Sequence, residues 1–464
     1  MDFRNWLAVS AVTFTLVACG GDDGKDGVDG QNGANGADGN NGVPSLVTVG
    51  DVVRTNANIA YASYSDSLVS AVQLQSKLEA LVATPSEQTL SAAKAAWVSA
   101  REPYGQTEVY RFREGPIDAL KDDGTMGSDG DGPEGRINAW PLGEAIIDYV
   151  ANQVDGDSRP ENVSSTDAIS GNIIADSEGF PIINKAALVA NFELGGDERN
   201  VTTGYHAVEF LLWGQDLNQD GAGSGERDAS AGQRPYTDYI DNASCTSGDA
   251  NSAASICERR GDYLLAAGEL LIDDLQRLVD AWNPSVSDNH YAEVVAGGSA
   301  SLAAILESMG RLGFGELAGE RMNIALLQDS QEDEHSCFSD NTHRDIYLNA
   351  KGVYNSFHGE YTQVNGDVVS GAGIDDYLVS IGELTLANNL RAALEDTMIK
   401  VSVISQIAEA GLPFDNQIQT ASARSAVDAA IKALAGPQTE AIENVVQVLS
   451  LSTDDLRQDT EEDI

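Results

Sequence analysis

Apolar residues recur at helical spacing along most of the chain, and this periodicity restricts the fold more than any other feature. Two runs advance by three or four residues at each step: Tyr64, Leu68, Ala71, Leu74, Leu78 and Leu81, and then Leu264, Gly268, Leu271, Leu275, Leu278 and Trp282. Side chains at this spacing lie along one face of an α-helix. Strand-like alternation is scarce, and aromatic residues make up only 6% of the chain, which also favours helix over strand. We therefore predict an all-α fold.

Local signals set the ends of the predicted helices. Thr84-Pro85-Ser86-Glu87 supplies a capping threonine, a proline for the first helical position and a capping-box glutamate, so a second helix should begin there. It should pass Trp97, kink at Pro103 and continue towards Phe112. Further helical segments are expected near 140–150, near 200–214, over 299–327, as one helix over 376–410, and over 416–451 with a break at Gly436-Pro437.

The helical runs fall into two groups, which predicts two helical-bundle domains. We assign 46–225 to an N-terminal bundle and 258–464 to a C-terminal bundle, with 226–257 as a polar linker. Cys245 and Cys257 lie in this linker and should form a disulfide, because an exported protein meets oxidising conditions. Cys337 is then left over, either buried or reactive.

The first residues are typical of an export signal. The apolar stretch from Trp6 to Val17 is too short to span a bilayer but suits a signal-peptide core. It ends in Leu16-Val17-Ala18-Cys19, which resembles a bacterial lipobox. The resemblance implies that 1–19 is a lipoprotein signal peptide and that acylated Cys19 anchors the protein to the membrane. Because a glycine follows the cysteine, it also implies the outer membrane of a Gram-negative bacterium. An ordinary secretory signal is the alternative.

Glycine then recurs at every third position from Gly21 to Gly42, as in collagen. These triplets contain no proline, which stable triple helices need. We interpret 20–45 as a flexible polar tether between the anchor and the body. A homotrimeric triple helix is the alternative.

Acidic residues far outnumber basic ones. The chain has 73 Asp and Glu against 27 Lys and Arg, a net charge of −46. This balance argues against nucleic acid, whose phosphates need clustered Lys and Arg, and against direct adsorption to anionic lipid headgroups. Metal cations remain compatible with it.

His206 and Glu209 lie at i, i+3 in a predicted helix, so both side chains can reach one metal ion. The alternative is a buried helix histidine that is bonded to Glu209. His290 and Glu293 have the same spacing, and we treat that pair as a coincidence. A zinc peptidase helix usually reads H-E-x-x-H, but Ala207 stands at the position of its glutamate. A peptidase would therefore need a further ligand and a base from elsewhere.

A second group of candidate metal ligands lies within 332–343. It comprises the carboxylates and imidazoles of Glu332, Asp333, Glu334, His335, Asp340 and His343. This composition suits a hard or borderline cation, and a solvated acidic turn is the alternative. The run from Asp216 to Gly221 mimics the start of an EF-hand loop, but Arg227 stands where the loop needs its bidentate glutamate. A plain Asx-rich loop therefore competes with a calcium site there.

Several segments together carry a family resemblance. They are Trp97 with Arg101-Glu102-Pro103-Tyr104 and Thr107-Glu108-Val109-Tyr110-Arg111-Phe112; Asn138-Ala139-Trp140-Pro141-Leu142 with Ile147-Asp148-Tyr149; Gly204-x-His206-x-x-Glu209-Phe210-Leu211-Leu212-Trp213-Gly214; and 332–343. Over roughly 48–450 the chain resembles the imelysin family, most of all its iron-regulated protein A branch.

The resemblance implies two helical bundles with the G-x-H-x-x-E motif near their junction, an envelope location, iron binding and a role in iron acquisition with other uptake components. It makes His206 and Glu209 the motif pair, with Glu108 from the N-terminal motif as a further candidate metal ligand and Arg101 and Tyr104 in support. The family is also catalogued as metallopeptidases, so zinc in place of iron, with Glu209 as the catalytic residue, is the first alternative. A non-catalytic adhesion or binding module is the second. Whether the protein is an enzyme stays open.

Overall fold

The computed structural model describes residues 46–120, 132–150, 172–217, 227–247 and 254–458. The predicted signal peptide, lipobox cysteine and tether lie outside these ranges. No helix in the described ranges combines the length and the hydropathy that crossing a bilayer requires.

Helices dominate the described chain. The α-helices are α1 (Val49–Ala83), α2 (Glu87–Tyr104), α3 (Pro116–Ala119), α4 (Glu134–Asn138), α5 (Lys185–Ala190), α6 (Gly204–Trp213), α7 (Ala254–Ala281), α8 (His290–Ala296), α9 (Ser299–Arg311), α10 (Ala325–Gln328), α11 (Thr342–His358), α12 (Ile374–Ser380), α13 (Leu384–Glu409), α14 (Phe414–Gln419), α15 (Ala421–Ala433) and α16 (Thr439–Val448). Short 3₁₀ helices span Gly105–Tyr110, Glu144–Ile146, Leu194–Gly196 and Tyr236–Tyr239, and π-helical stretches span Leu312–Ile324 and Leu434–Gln438. The only strands in the described ranges, β1 (Glu360–Thr362) and β2 (Val368–Ser370), pair antiparallel with Tyr361 opposite Val369.

The predicted apolar helix faces pack against each other. Helix α1 begins with a capping box between Thr48 and Asp51 and packs against both α2 and α7. Its residues Leu74, Leu78 and Leu81 are fully buried there. The all-α prediction is therefore confirmed, because these local periodicities are satisfied by helix-on-helix packing.

The buried apolar residues form two cores. The larger draws on α1, α2, α6, α7, α9 and α16. The smaller lies among the π-helical stretch Leu312–Ile324, α10, α14 and α15. Helices α11 and α13 contribute side chains to both cores, through Val353 and Ile346 on α11 for example. The assignment of 46–225, 226–257 and 258–464 to separate domains stays a prediction.

Two predicted helices end differently. The helix expected over 376–410 is divided into α12 and α13, because Gly382 adopts φ +93°, which a continuing helix cannot accommodate. The segment expected to break at Gly436-Pro437 instead continues there as a π-helical stretch between α15 and α16. Proline is tolerated at that point because the wider turn already disrupts the regular hydrogen-bond ladder. The break falls earlier, at Thr420, between α14 and α15.

The predicted disulfide is present between Cys245 and Cys257. It ties the segment after the Tyr236–Tyr239 turn to the first turn of α7. Cys337 is a free thiol, and burial raises its pKa well above the usual value. A thiol with a raised pKa is a poor nucleophile.

Candidate functional site

The glycine of the G-x-H-x-x-E motif fixes where α6 begins. Gly204 adopts φ +81°, and a Cβ there would lie only 2.5 Å from the carbonyl oxygen of Ile137 and 2.6 Å from that of Arg136. Any other residue would have to displace the end of α4. This close approach sets α6 against the segment that carries Asn138.

His206 and Glu209 lie on one face of α6 and contact each other. His206 Nδ1 is 2.8 Å from Glu209 Oε2. The other oxygen, Oε1, accepts hydrogen bonds from the Ser339 amide at 3.0 Å and from the Ser339 hydroxyl at 2.6 Å. Both side chains are buried, with 2% and 0% of their surface exposed. The hydrogen-bonded pair that the sequence offered as the alternative therefore exists.

His335, which belongs to the predicted 332–343 group, lies beside His206. Its ring centroid is 4.7 Å from that of His206 and 4.5 Å from that of Trp140. Its Nδ1 is 3.0 Å from Asp345 Oδ2, and Asn138 Nδ2 lies 3.2 Å from its Nε2. Because an ionised carboxylate only accepts and an amide NH₂ only donates, we assign the proton to Nδ1.

The negative charge of the carboxylate next to His335 is balanced by an arginine. The Arg101 guanidinium forms an ion pair with Asp345 at 2.9 Å, and its Nη1 donates to Asn138 Oδ1 at 2.6 Å. The ring of Tyr104 lies under the guanidinium, 5.4 Å away. The predicted supporting residues Arg101 and Tyr104 therefore lie beside the histidines.

Glu108 is held by two further arginines. Arg321 Nη2 lies 2.9 Å from Glu108 Oε2, and Arg111 Nη1 lies 3.2 Å from the same oxygen. Both guanidinium groups also pair with Glu316 at 2.9 Å. Arg321 and Glu316 belong to the π-helical stretch Leu312–Ile324, a form that is rare and frequent at functional sites.

Burial and these counter-charges set the protonation states. Burial raises the pKa of Glu209 well above its usual range and lowers the pKa of His206 well below its own. Burial, reinforced by Arg321, lowers the pKa of His335 to about 4. Burial would raise the pKa of Glu108, but Arg321 and Arg111 outweigh it and hold the pKa at about 2. Both imidazoles are therefore neutral near pH 7, while Glu108 is ionised.

His206 Nε2 is buried and has no hydrogen-bond partner among the described residues. When Glu209 is ionised and accepts from Nδ1–H, Nε2 of the neutral imidazole holds a free lone pair; when Glu209 is protonated and donates to Nδ1, Nε2 carries the proton instead. An ionised carboxylate is the kind of partner that fixes the Nδ1–H tautomer in metal-binding histidines.

The remaining candidates of the 332–343 group have other neighbours. His343 Nδ1 contacts the carbonyl oxygen of Asp340 at 3.0 Å, and the Asp333 amide donates to the Ser330 hydroxyl at 3.1 Å. Asp340 is close enough to Asp415 for the two carboxylates to repel each other. Glu332 likewise acts on Asp216. Across the described ranges, no three His, Cys, Asp or Glu side chains stand in an arrangement that could hold a metal ion.

The pair that we treated as a coincidence, His290 and Glu293, has a different environment. The Nδ1 of His290 is 3.8 Å from Glu293, whose side chain is 73% exposed, and the His290 ring packs on Trp282. The same H-x-x-E spacing therefore gives a packed surface-side histidine in α8 and a buried pair in α6.

Sequence reasoning missed three residues of the site. Asp345 lies two residues beyond the predicted 332–343 group, so a slightly wider window would have included it. Arg321 and Ser339 reach Glu108 and Glu209 across more than a hundred residues of sequence, and no local signal marks them.

Fold and site together define an all-α protein with a buried histidine–carboxylate site built from α2, α6, the segment before α11, and α11 itself. A model of the imelysin family matches residues 60–441. The chain therefore belongs to the imelysin family.

Two solved structures are similar to this chain. One is a protein assigned as an iron-regulated protein A precursor from Parabacteroides distasonis ATCC 8503, with a TM-score of 0.54, 17% identity, and coverage of 87% of this chain and 96% of that one. The other is an imelysin-like protein from Psychrobacter arcticum 273-4, with a TM-score of 0.49, 14% identity, and coverage of 88% and 99%. Among curated proteins, none matches this chain.

Proposed function

We propose that this imelysin-family protein is a lipid-anchored envelope protein that binds iron through His206 and takes part in iron acquisition. One observation carries the proposal: the buried imidazole nitrogen His206 Nε2 has no hydrogen-bond partner in the described structure. Buried polar atoms are normally satisfied, so an unpaired one calls for a ligand.

The surroundings keep His206 in the neutral form, which is the form that a metal ion needs. Burial, together with the neighbouring imidazole of His335 and the guanidinium of Arg101, lowers the pKa of His206. Protonation is therefore suppressed at neutral pH, whereas coordination of a metal ion needs the neutral ring. Glu209 holds the ring in place from the opposite nitrogen at 2.8 Å.

The other donors are engaged in the conformation described. Asn138 contacts His335 Nε2 at 3.2 Å, and Arg321 contacts Glu108 at 2.9 Å. We propose that bound iron replaces these contacts and recruits His335 and Glu108. Arg101 and Arg321 then remain close by, which suits iron that arrives with anionic ligands of its own.

Metal titration of the purified full chain tests the site. We expect saturable binding of ferric or ferrous iron that His206→Ala weakens by at least about tenfold, since loss of even an outer-shell partner commonly costs 10–100-fold in affinity. His290→Ala is the matched control, because His290 has the same H-x-x-E spacing and also an unpaired Nε2. Equal binding by wild type and His206→Ala would exclude this site.

Anchoring is tested separately from metal binding. Acylation forms a thioether on the Cys19 sulfur, so wild-type protein should incorporate labelled palmitate in its bacterial host and Cys19→Ser should not. An unlabelled wild type would mean that the chain is exported without a lipid, and it would leave the metal proposal unaffected.

A metallopeptidase is the second candidate function. The contact of Glu209 with His206 favours it, because a glutamate positioned in a metal site can act as a general base. Both oxygens of Glu209 are already hydrogen-bonded and its side chain is fully buried, which argues against contact with a polypeptide. Chelator-sensitive cleavage of an unfolded substrate that Glu209→Gln abolishes would establish this function instead.

A further inference from the structure

A cavity of about 790 Å³ is lined by residues of α11, α13 and strand β1. The wall that α11 supplies consists of Tyr347, Lys351, Tyr354, Asn355 and His358, whose spacing places them on one helix face. A volume of this size is within the range of cavities that hold small organic ligands. None of the residues that we assign to iron binding lines it.

Helices α11 and α13 run antiparallel, which gives the cavity two distinct ends. The Ser405 hydroxyl of α13 donates to the carbonyl oxygen of His343, near the start of α11, at 3.0 Å. The guanidinium of Arg391 lies over the ring of Phe357, near the end of α11. Glu395 follows Arg391 by about one turn, so it lies towards the C-terminal end of α11.

Two carboxylates lie at this C-terminal end of the cavity. Glu360 is the first residue of β1 and comes directly after α11, and Glu395 is on α13. Both side chains are exposed, and neither forms an ion pair with a described residue. Both carboxylates act on Tyr354, which lies between them and whose pKa is raised mainly by burial and then by Glu395. This end of the cavity therefore favours a cationic group.

His358 adds an acceptor at the same end. Its Nδ1 is 2.9 Å from Asp375 Oδ2, and Arg391 pairs with the same oxygen at 3.1 Å. Burial would raise the pKa of Asp375, but hydrogen bonds from His358 and Arg391 outweigh it and lower the pKa. The ionised carboxylate takes the Nδ1 proton of a neutral ring, so Nε2 is an acceptor. His358 Nε2 has no hydrogen-bond partner among the described residues.

The opposite end of the cavity holds an ammonium group. Lys351 lies two turns before His358 on α11, and it forms no hydrogen bond or ion pair with a described residue. An unpaired, half-buried lysine is notable in a chain with 73 acidic and 27 basic residues. Helical side chains lean towards the N-terminus of their helix, which carries the ammonium away from Glu360 and Glu395.

The rest of the wall is aromatic and apolar. The rings of Tyr347 and Tyr354 and the side chains of Met398 and Ile399 line the cavity. Ile399 is 65% exposed, although it adjoins these residues. A ligand that covers this wall removes apolar surface from water, which favours binding.

We propose that the cavity binds a short apolar peptide with free termini. The peptide carboxylate pairs with Lys351, the peptide ammonium lies among Glu360, Glu395 and His358 Nε2, and apolar side chains cover the wall between them. Opposite charges at the two ends fix the direction in which the peptide binds.

The spacing of the two ends sets the length of the peptide. Two helical turns, about 11 Å, separate Lys351 from His358. An extended chain spans about 3.3–3.6 Å per residue, so a tripeptide or tetrapeptide bridges the ends. The proposal concerns binding at residues that the proposed iron site does not use, so either proposal can fail without the other.

Calorimetric titration of the full chain with the tetrapeptide Ala-Leu-Leu-Ala is the direct test. We expect saturable binding of the peptide with free termini. Amidation of its C-terminus and acetylation of its N-terminus should each weaken binding by at least about fivefold, because each removes one charge pair. No saturable binding of the free peptide at millimolar concentration overturns the proposal.

Variants assign each terminus to its end of the cavity. Lys351→Gln should weaken binding of the free peptide by at least about fivefold and leave the affinity for the C-amidated peptide unchanged. The double variant Glu360→Gln and Glu395→Gln should do the same for the free and the N-acetylated peptide. Lys77→Gln is the matched control, since Lys77 is an unpaired lysine of α1 that does not line the cavity.

Thermal unfolding separates loss of the ligand from loss of the fold. Lys351 has no partner to lose, so Lys351→Gln should unfold within a few degrees of wild type. Equal binding of the free and amidated peptides by wild type overturns the role of Lys351. A loss in Lys351→Gln that is the same for both peptides, or that Lys77→Gln shares, overturns it as well.

Discussion

Two neighbouring residues, Glu334 and His335, belong to buried polar groups that balance their charge in opposite ways. On the His335 side, Asp345 pairs with Arg101 and Glu108 pairs with Arg321, both at 2.9 Å. On the Glu334 side lies an acidic group of four carboxylates, Asp216, Glu334, Asp340 and Asp415. Among the described residues none of the four forms an ion pair with a lysine or arginine within 4 Å, although the charge of Arg227 lowers the pKa of Glu334 and Asp415. Glu108 accordingly has a pKa of about 2, while Asp340 has one of about 7.

The difference shows that burial alone does not decide whether an acid is charged. Burial pushes the pKa of both residues upwards, and only the guanidinium groups beside Glu108 reverse the effect. The His335 group balances the charges of its carboxylates with arginines and holds the histidines neutral. The acidic group lacks such pairs, so Asp216 and Asp340 keep their protons to a higher pH than usual.

Breaking the completed network should have the largest effect. Asp345→Ala leaves the buried Arg101 guanidinium without its carboxylate and removes the partner of His335 Nδ1 and of the Ser336 hydroxyl. We expect the free energy of unfolding to fall by about 3–5 kcal/mol, as for other buried pairs that lose one member. Chemical denaturation measures this.

The matched control for that variant is Asp428→Ala. Asp428 forms an i, i+4 ion pair with Lys432, and their side chains are 49% and 72% exposed. Such a pair contributes little, so the change should stay within about 0.5 kcal/mol. Equal losses in the two variants would show that the buried network does not stabilise the fold.

Removing the charge of Asp216 from the acidic group should stabilise the protein at pH 8. The pKa of Asp216 is raised to about 9 in the folded state by burial, then by Asp340 and Asp415. A raised pKa stabilises the fold fully below the unfolded value near 4 and loses that effect as the pH rises towards 9. Asp216→Asn should therefore match wild type near pH 4 and exceed it at pH 8 by at least about 1 kcal/mol.

Urea denaturation at the two pH values measures the difference. The asparagine keeps an oxygen for the Gln331 amide, so the hydrogen bond is retained. A variant that is less stable than wild type at pH 8 would contradict the description of this group as uncompensated.

The smallest effect should come from the hydrogen bond between Ser339 and Glu209. Ser339 donates its hydroxyl to Glu209 at 2.6 Å, and Ser339→Ala leaves only the amide donor at 3.0 Å. We expect a loss of about 1 kcal/mol by denaturation, and a further rise in the pKa of Glu209, since this bond lowers it. Ser99→Ala removes only an exposed bond within α2 and should change stability by less than about 0.5 kcal/mol.

The parts of the fold that sequence predicts well are those fixed by local spacing. The apolar faces of α1 and α7, the capping signals before α2 and the i, i+3 relation of His206 and Glu209 depend on residues within one or two turns. Gly382 was also a readable signal for the division of α12 from α13, because a glycine in a helical run favours its end.

The parts that were missed depend on distant packing. The contact of Arg321 with Glu108 spans 213 residues, and the π-helical stretch that carries Arg321 has no sequence signature. The surroundings of Glu334 could not be predicted from spacing, which placed it in one group with His335. The backbone before α11 directs the two side chains to different neighbours. Which side of an irregular segment faces which element is set by the tertiary fold.

One peptide bond joins Glu334 to His335, so their Cα atoms are held about 3.8 Å apart. A shift of this segment that satisfies one side chain is transmitted covalently to the other. A ligand that shifted His335 would therefore also change the surroundings of Glu334, and by thermodynamic linkage a change of protonation at Glu334 would act equally on the affinity for that ligand. The segment before α11 thus couples two chemically different groups mechanically.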